Sequence, residues 1–139
     1  MGRELEVLLP ESQIPDCDDQ AMNVLGVLWS DFQSFEEGSL GVLCGPDQMY
    51  EGFPPDDVKL PAVSYAMTQV EHRGILTVVA WGDALRPIHA RIRRVLINSV
   101  VPGVTVRYIT SGPVRFDERL RTGCQRASYL VKVKKRNST

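Results

Sequence analysis

Nucleophiles, bases and metal ligands are sparse in this chain, and their spacing limits the chemistry they could do. Only two histidines occur, His72 and His89, beside three cysteines, Cys17, Cys44 and Cys124. A thiol needs a neighbouring base to become a nucleophile, so Cys44 with His72 is a formal pair, but no local signature surrounds either residue. A small hydrolase using Cys44 or Cys124 therefore stays open only as an alternative, one that would be sensitive to thiol reagents. Three widely spaced cysteines make neither a disulfide framework nor a CxxC pair, which points to a reducing, intracellular compartment. Asp16, Asp18 and Asp19 are clustered but lack the turn glycine and distal glutamate of a calcium loop. Gly41, Gly45 and Gly52 belong to no phosphate-cradling pattern. The expectation is a protein with no catalytic residues, no cofactor and no metal.

The charges are more informative. Residues 1–72 hold 14 acidic and two basic side chains, residues 73–139 three acidic and 14 basic, and the whole chain is left at a net charge of -1. Such a split can be neutralised within the fold or against other copies of the chain. The basic half includes Arg91, Arg93, Arg94, Arg107, Arg115, Arg119, Arg121, Arg126, Lys132, Lys134, Lys135 and Arg136, which could form a phosphate-binding surface. An isoelectric point near 6.1 and the lack of a recognition-helix or aromatic RNA-binding motif weigh against that use. A nucleic-acid-binding accessory protein using the C-terminal half is kept as the alternative reading.

The elements that must position these residues follow from periodicity. Residues 1–17 read as an arm, an added edge strand or a partner-bound tail, with Leu5, Val7 and Leu9 alternating before Pro10 and Pro15. From an N-cap at Asp18 or Asp19, Met22, Leu25, Leu28, Trp29, Phe32 and Phe35 recur at helical spacing up to Gly38. Residues 38–60 read as loops around a short strand at 48–51. Pro61 opens a strand in which Val63, Tyr65 and Met67 alternate with Ala62, Ser64, Ala66 and Thr68; a turn at His72-Arg73-Gly74 returns into the apolar strand Ile75–Trp81, central in its sheet.

Asp83 then reads as the N-cap of a second helix with Leu85, Ile88, Ile92, Val95, Leu96 and Ser99 on one face and Arg86, Arg93 and Arg94 on the other. A strand at 104–109, a charged connection at 115–121 and a last strand with Ala127, Tyr129, Val131 and Val133 on one side complete the chain. The fold class is α+β: a mainly antiparallel sheet of about five strands with two helices packed on it, ordered α-β-β-β-α-β-β. The domain spans 18–135, with a flexible tail at 136–139. Apolar content of 43% and charged content of 24% fit one soluble globular domain. Apolar runs such as Ile75–Trp81 are too short to span a bilayer, and the acidic start lacks the basic and apolar regions of a secretory signal.

The run Met49-Tyr-Glu-Gly-Phe-Pro-Pro, then Leu60-Pro-Ala-Val-Ser-Tyr, Leu76-Thr-Val-Val-Ala-Trp-Gly and the helix Ala84–Leu96 resembles the tail-terminator (tail-completion, minor tail protein U-like) proteins of tailed bacteriophages. The likeness covers approximately Met22–Val133, and Glu51 stands where that family usually has Asp. The resemblance implies a non-enzymatic virion protein of the tail and neck, assembled in the host cytoplasm. It would form a homo-oligomeric, hexameric ring that caps the tail tube protein, ends its polymerisation and meets head–tail connector or neck proteins. DNA would pass through the channel without specific binding, and no membrane would be involved. A ring needs one patch of each subunit to meet a different patch of the next. The expected subunit interface pairs Glu51, Asp56 and Asp57 with Arg86, Arg93 and Arg94 of the neighbour.

Overall fold

The computed structural model describes residues 17–99 and 101–134. In chain order the elements are α1 (Cys17–Phe32), α2 (Leu40–Leu43), β1 (Met49–Glu51), β2 (Ala62–Val70), β3 (Arg73–Trp81), α3 (Leu85–Ile97), β4 (Val104–Ser111), β5 (Arg115–Asp117) and β6 (Thr122–Val133). The fold is α+β, with one sheet in the order β1-β2-β3-β6-β4 and β5 also paired to β6. All strand pairs are antiparallel except β1 with β2. The segment read as a charged connection supplies β5, and α2 falls in a stretch read as loop. Both are too short to show a period in sequence. The expected arm, Cys17 apart, lies outside the described residues, as do Lys135 and the tail at 136–139.

Alternation decides what the sheet buries. In β3 Leu76, Val78 and Ala80 face the helices, and in β6 Ala127, Tyr129, Val131 and Val133 do the same. Val63 and Tyr65 of β2 join them, as does Met49 of β1. β3 lies between β2 and β6, which is why its sequence is the most uniformly apolar. The β2–β3 turn is tighter than its sequence suggests: Val70 pairs with Arg73, so Glu71 and His72 make the turn, and Arg73 and Gly74 belong to the strand. Glu71 takes the positive φ of 55° that a two-residue hairpin demands. Gly52 likewise has φ 80° where the chain leaves β1.

On α1, Val24, Leu25, Leu28 and Phe32 are buried, each side chain of this size contributing roughly 1.5–3 kcal/mol. The expected stripe is shorter than its sequence implies. α1 stops at Phe32, so Phe35 leaves the helical register and stands 89% exposed, while Trp29 lies at the margin of the core. α1 starts at Cys17, which places Asp18 and Asp19 inside the helix rather than at its cap. On α3 the inward residues are Leu85, Ile88, Ile92 and Leu96, and Ser99 falls beyond the helix end. Its N-cap is Ala84 with no side-chain cap bond, and Asp83 sits exposed just before it.

One carboxylate stitches the helical layer together. Asp31, near the end of α1, receives Arg91 Nε at 2.9 Å on Oδ2 and Arg91 Nη2 at 2.6 Å on Oδ1, a two-pronged bond from α3. Its Oδ2 also accepts the Leu40 backbone N–H at 2.9 Å, which caps α2. Ser39 completes that cap from Oγ to the Val42 N–H and donates to Ser34 O. Gly41 packs so closely on Phe32 O and Ser34 O that a Cβ there would collide with backbone. Burial pushes the Asp31 carboxyl up, but the hydrogen bonds from Arg91 and Leu40 and the arginine's charge leave it below 3.8.

A depressed carboxylate stabilises the fold above its unfolded pKa, and that stability is lost as pH falls through the folded value. Asp31→Asn should therefore cost about 2–4 kcal/mol at pH 7 in urea unfolding. The difference from the parent should narrow below about pH 4. Equal destabilisation at pH 7 and pH 3 would contradict the ionic role.

Candidate assembly interface

Helical spacing places the arginines of the expected interface on two sides of α3. Arg86 and Arg93 are seven positions apart and share the flank that looks toward β4. They line a groove of about 630 Å³ with His89, Tyr108, Ser111 and Val114. Arg94, one residue on, stands exposed in the last turn and takes no part in that groove. A cation there is favoured by the partial negative charge of the helix C-terminus.

The groove wall is built from stacked groups. The Arg93 guanidinium lies over the Tyr108 ring at 4.0 Å, an arrangement worth about 0.5–1 kcal/mol at an exposed site. Tyr108 meets Tyr129 edge to face at 5.8 Å across the β4–β6 pairing, and its hydroxyl donates to Ser111 Oγ at 2.7 Å. Burial pushes the Tyr129 hydroxyl up to about 12. This stack fixes Arg93 at the groove mouth while leaving it exposed.

The acids of the expected interface differ in their surroundings. Glu51 is exposed at the end of β1, and Asp57 is exposed in the loop that leads to β2. Asp56, in contrast, is already paired with Arg119 of the β5–β6 turn, which also donates to Pro54 O at 2.9 Å. Arg91, which the sequence groups with the exposed arginines, is engaged with Asp31 and lies 3.9 Å from Glu36. Both pairs join an acid of the first half to a base of the second. The opposite charges of the chain are thus partly neutralised within its own fold. Glu51, Asp57, Arg86, Arg93 and Arg94 make no ion pair among the described residues.

The thiols and histidines follow their surroundings. Burial pushes the Cys44 thiol up to about 12, far from a reactive thiolate. Cys124 is raised too, by burial and then by Asp117, and it lines a cavity of about 350 Å³ with Phe53, Val79, Trp81 and Arg126. Trp81 Nε1 donates to Asp117 Oδ2 at 2.8 Å, and Asp117 Oδ1 accepts the Leu120 N–H, so this aspartate closes the β5–β6 turn. No cluster of three potential metal ligands occurs among the described residues. None of their helices is long and apolar enough to cross a membrane. Among known proteins, no family model matches the chain, and no curated protein matches it.

His89 forms the floor of the groove. Its Nε2 donates to the Gln125 carbonyl at 2.9 Å, which leaves Nδ1 unprotonated, buried and without a partner. Burial holds its pKa below 6.5, partly opposed by the Gln125 bond. The unfolded chain therefore takes up a proton before the folded one does, and stability falls as pH drops through about 6.5. The urea midpoint should decline from pH 7 to pH 5, and His89→Gln should flatten that decline. An equally steep decline in the variant would contradict this origin.

Proposed function

We propose that this chain is a tail-completion protein of a tailed bacteriophage, a subunit of a hexameric ring that caps the tail tube and joins it to the head-side neck. The reading rests on the family resemblance of residues 22–133 and is supported by one observation above the rest. Arg86, Arg93 and Arg94 on α3, and Glu51 and Asp57 beside β2, are exposed charges of opposite sign that make no ion pair among the described residues. Strands β2, β3 and β6 separate β1, which ends in Glu51, from β4, which borders the arginine groove. Two different patches on one subunit suit the head-to-tail contacts of a closed ring.

Exposed ion pairs contribute only about 0–1 kcal/mol each, so these charges would select partner and orientation while apolar contact holds the ring. Facing acids along the channel would let DNA pass without sticking, since carboxylate repels phosphate. Sedimentation of the full chain, alone and with tail tubes, tests the pairing. Arg93→Glu with Arg94→Glu should remove ring-sized species or tube-bound protein, and adding Glu51→Arg with Asp57→Arg should restore part of the loss. Assembly unchanged by the arginine reversals would contradict the assignment.

A further inference from the structure

The face of the sheet turned away from the helices has a charge pattern that the fold itself does not need. Along β2, β3, β6 and β4 its outward positions include Arg73, Arg107, Arg126 and Lys132 and no carboxylate. Arg73 and Lys132 are direct cross-strand partners, and like charges placed opposite one another weaken a sheet. None of the four cations makes an ion pair among the described residues. Glu71, in the turn beside Arg73, makes none with them either, and Asp117 is held at the far end by Trp81 and Leu120.

Between the cations the face is aliphatic. Ile75 is 39% exposed and pairs directly with the half-buried Leu130, which in turn faces Arg107 on β4. Ile109, 47% exposed, stands at the β4 bulge. An apolar centre with charges around it is the layout of a protein-binding surface. Single-stranded nucleic acid favours successive aromatic rings on which bases stack; the exposed ring that borders this face, Phe53, stands beside Arg126 and not among Arg73, Ile75, Leu130 and Lys132.

We infer that this sheet face docks an acidic protein surface, one presenting carboxylates around an aliphatic patch. Arg73 and Lys132 take carboxylates of the partner, which relieves their mutual repulsion, and Ile75 and Leu130 supply the apolar contact. The arginines of α3 lie on the other layer, so this surface is independent of the ring contacts and does not rest on the tail-completion reading.

The test uses the full chain and a labelled amphipathic peptide of about 20 residues, leucine along one helical face and glutamate on both flanks. Fluorescence anisotropy should show binding that weakens with salt. Arg73→Glu with Lys132→Glu should lower the affinity about tenfold or more, and Ile75→Ser should lower it as well. Arg73→Lys should retain most of it, and a matching peptide with lysine in place of glutamate should not bind. Absence of glutamate-peptide binding, or binding indifferent to Arg73 and Lys132, overturns the inference. So does a DNA duplex of about 20 base pairs that binds more tightly and is lost in the same variants.

Discussion

Nine consecutive residue pairs join β3 to β6, from Arg73 with Lys132 to Trp81 with Cys124. Side chains alternate along both strands, so this register assigns each residue to a layer. Leu76, Val78, Ala127 and Tyr129 go to the helix side and build the core. Arg73, Ile75, Leu130 and Lys132 go to the other side and give it an aliphatic centre edged with cations. A slip of one residue would exchange the two sets, burying charge and exposing the core. That constraint also fixes Tyr108, which pairs with Tyr129 and carries Arg93 at the mouth of the α3 groove.

The helical layer is tied down by a different kind of bond. Asp31 gathers α1, α2 and α3 through Arg91 and the Leu40 N–H, and so pairs the acidic and basic halves of the chain within the fold. Asp56 with Arg119 does the same near the β5–β6 turn. These contacts account for part of the charge split. The exposed arginines of α3, the cations of the open sheet face, and Glu51 and Asp57 fall outside them. Internal pairing therefore takes up some of these charges and leaves others exposed, and the residues divide by position. Arg91 points to a neighbouring helix, whereas Arg94, three positions later on the same helix, stands exposed.

Much of this was legible in the sequence because it rests on local period. The alternation of Val63, Tyr65 and Met67 and the spacing of Leu85, Ile88, Ile92 and Leu96 identify their elements and inward faces. The same spacing leaves Arg86, Arg93 and Arg94 on the outside of α3. What local pattern cannot convey is partnership across long stretches of chain. Asp31 and Arg91 stand 60 positions apart, and nothing in either neighbourhood names the other. The groove beside α3 likewise depends on Tyr108 and Gln125 coming together in space. Elements of three or four residues, such as α2 and β5, carry no period and are held by a cap and by pairing to β6. Phe35 shows the reverse error, in which helical spacing continues past the point where the helix stops.

The central claim is that the unpaired opposite charges serve contact between copies of this chain at the end of a phage tail tube. Electron microscopy of the purified protein, alone and mixed with phage tail tubes, tests this most directly. The account predicts closed rings, or a ring of added density on one end of each tube. Tubes with bare ends, and no rings in the protein alone, would contradict it.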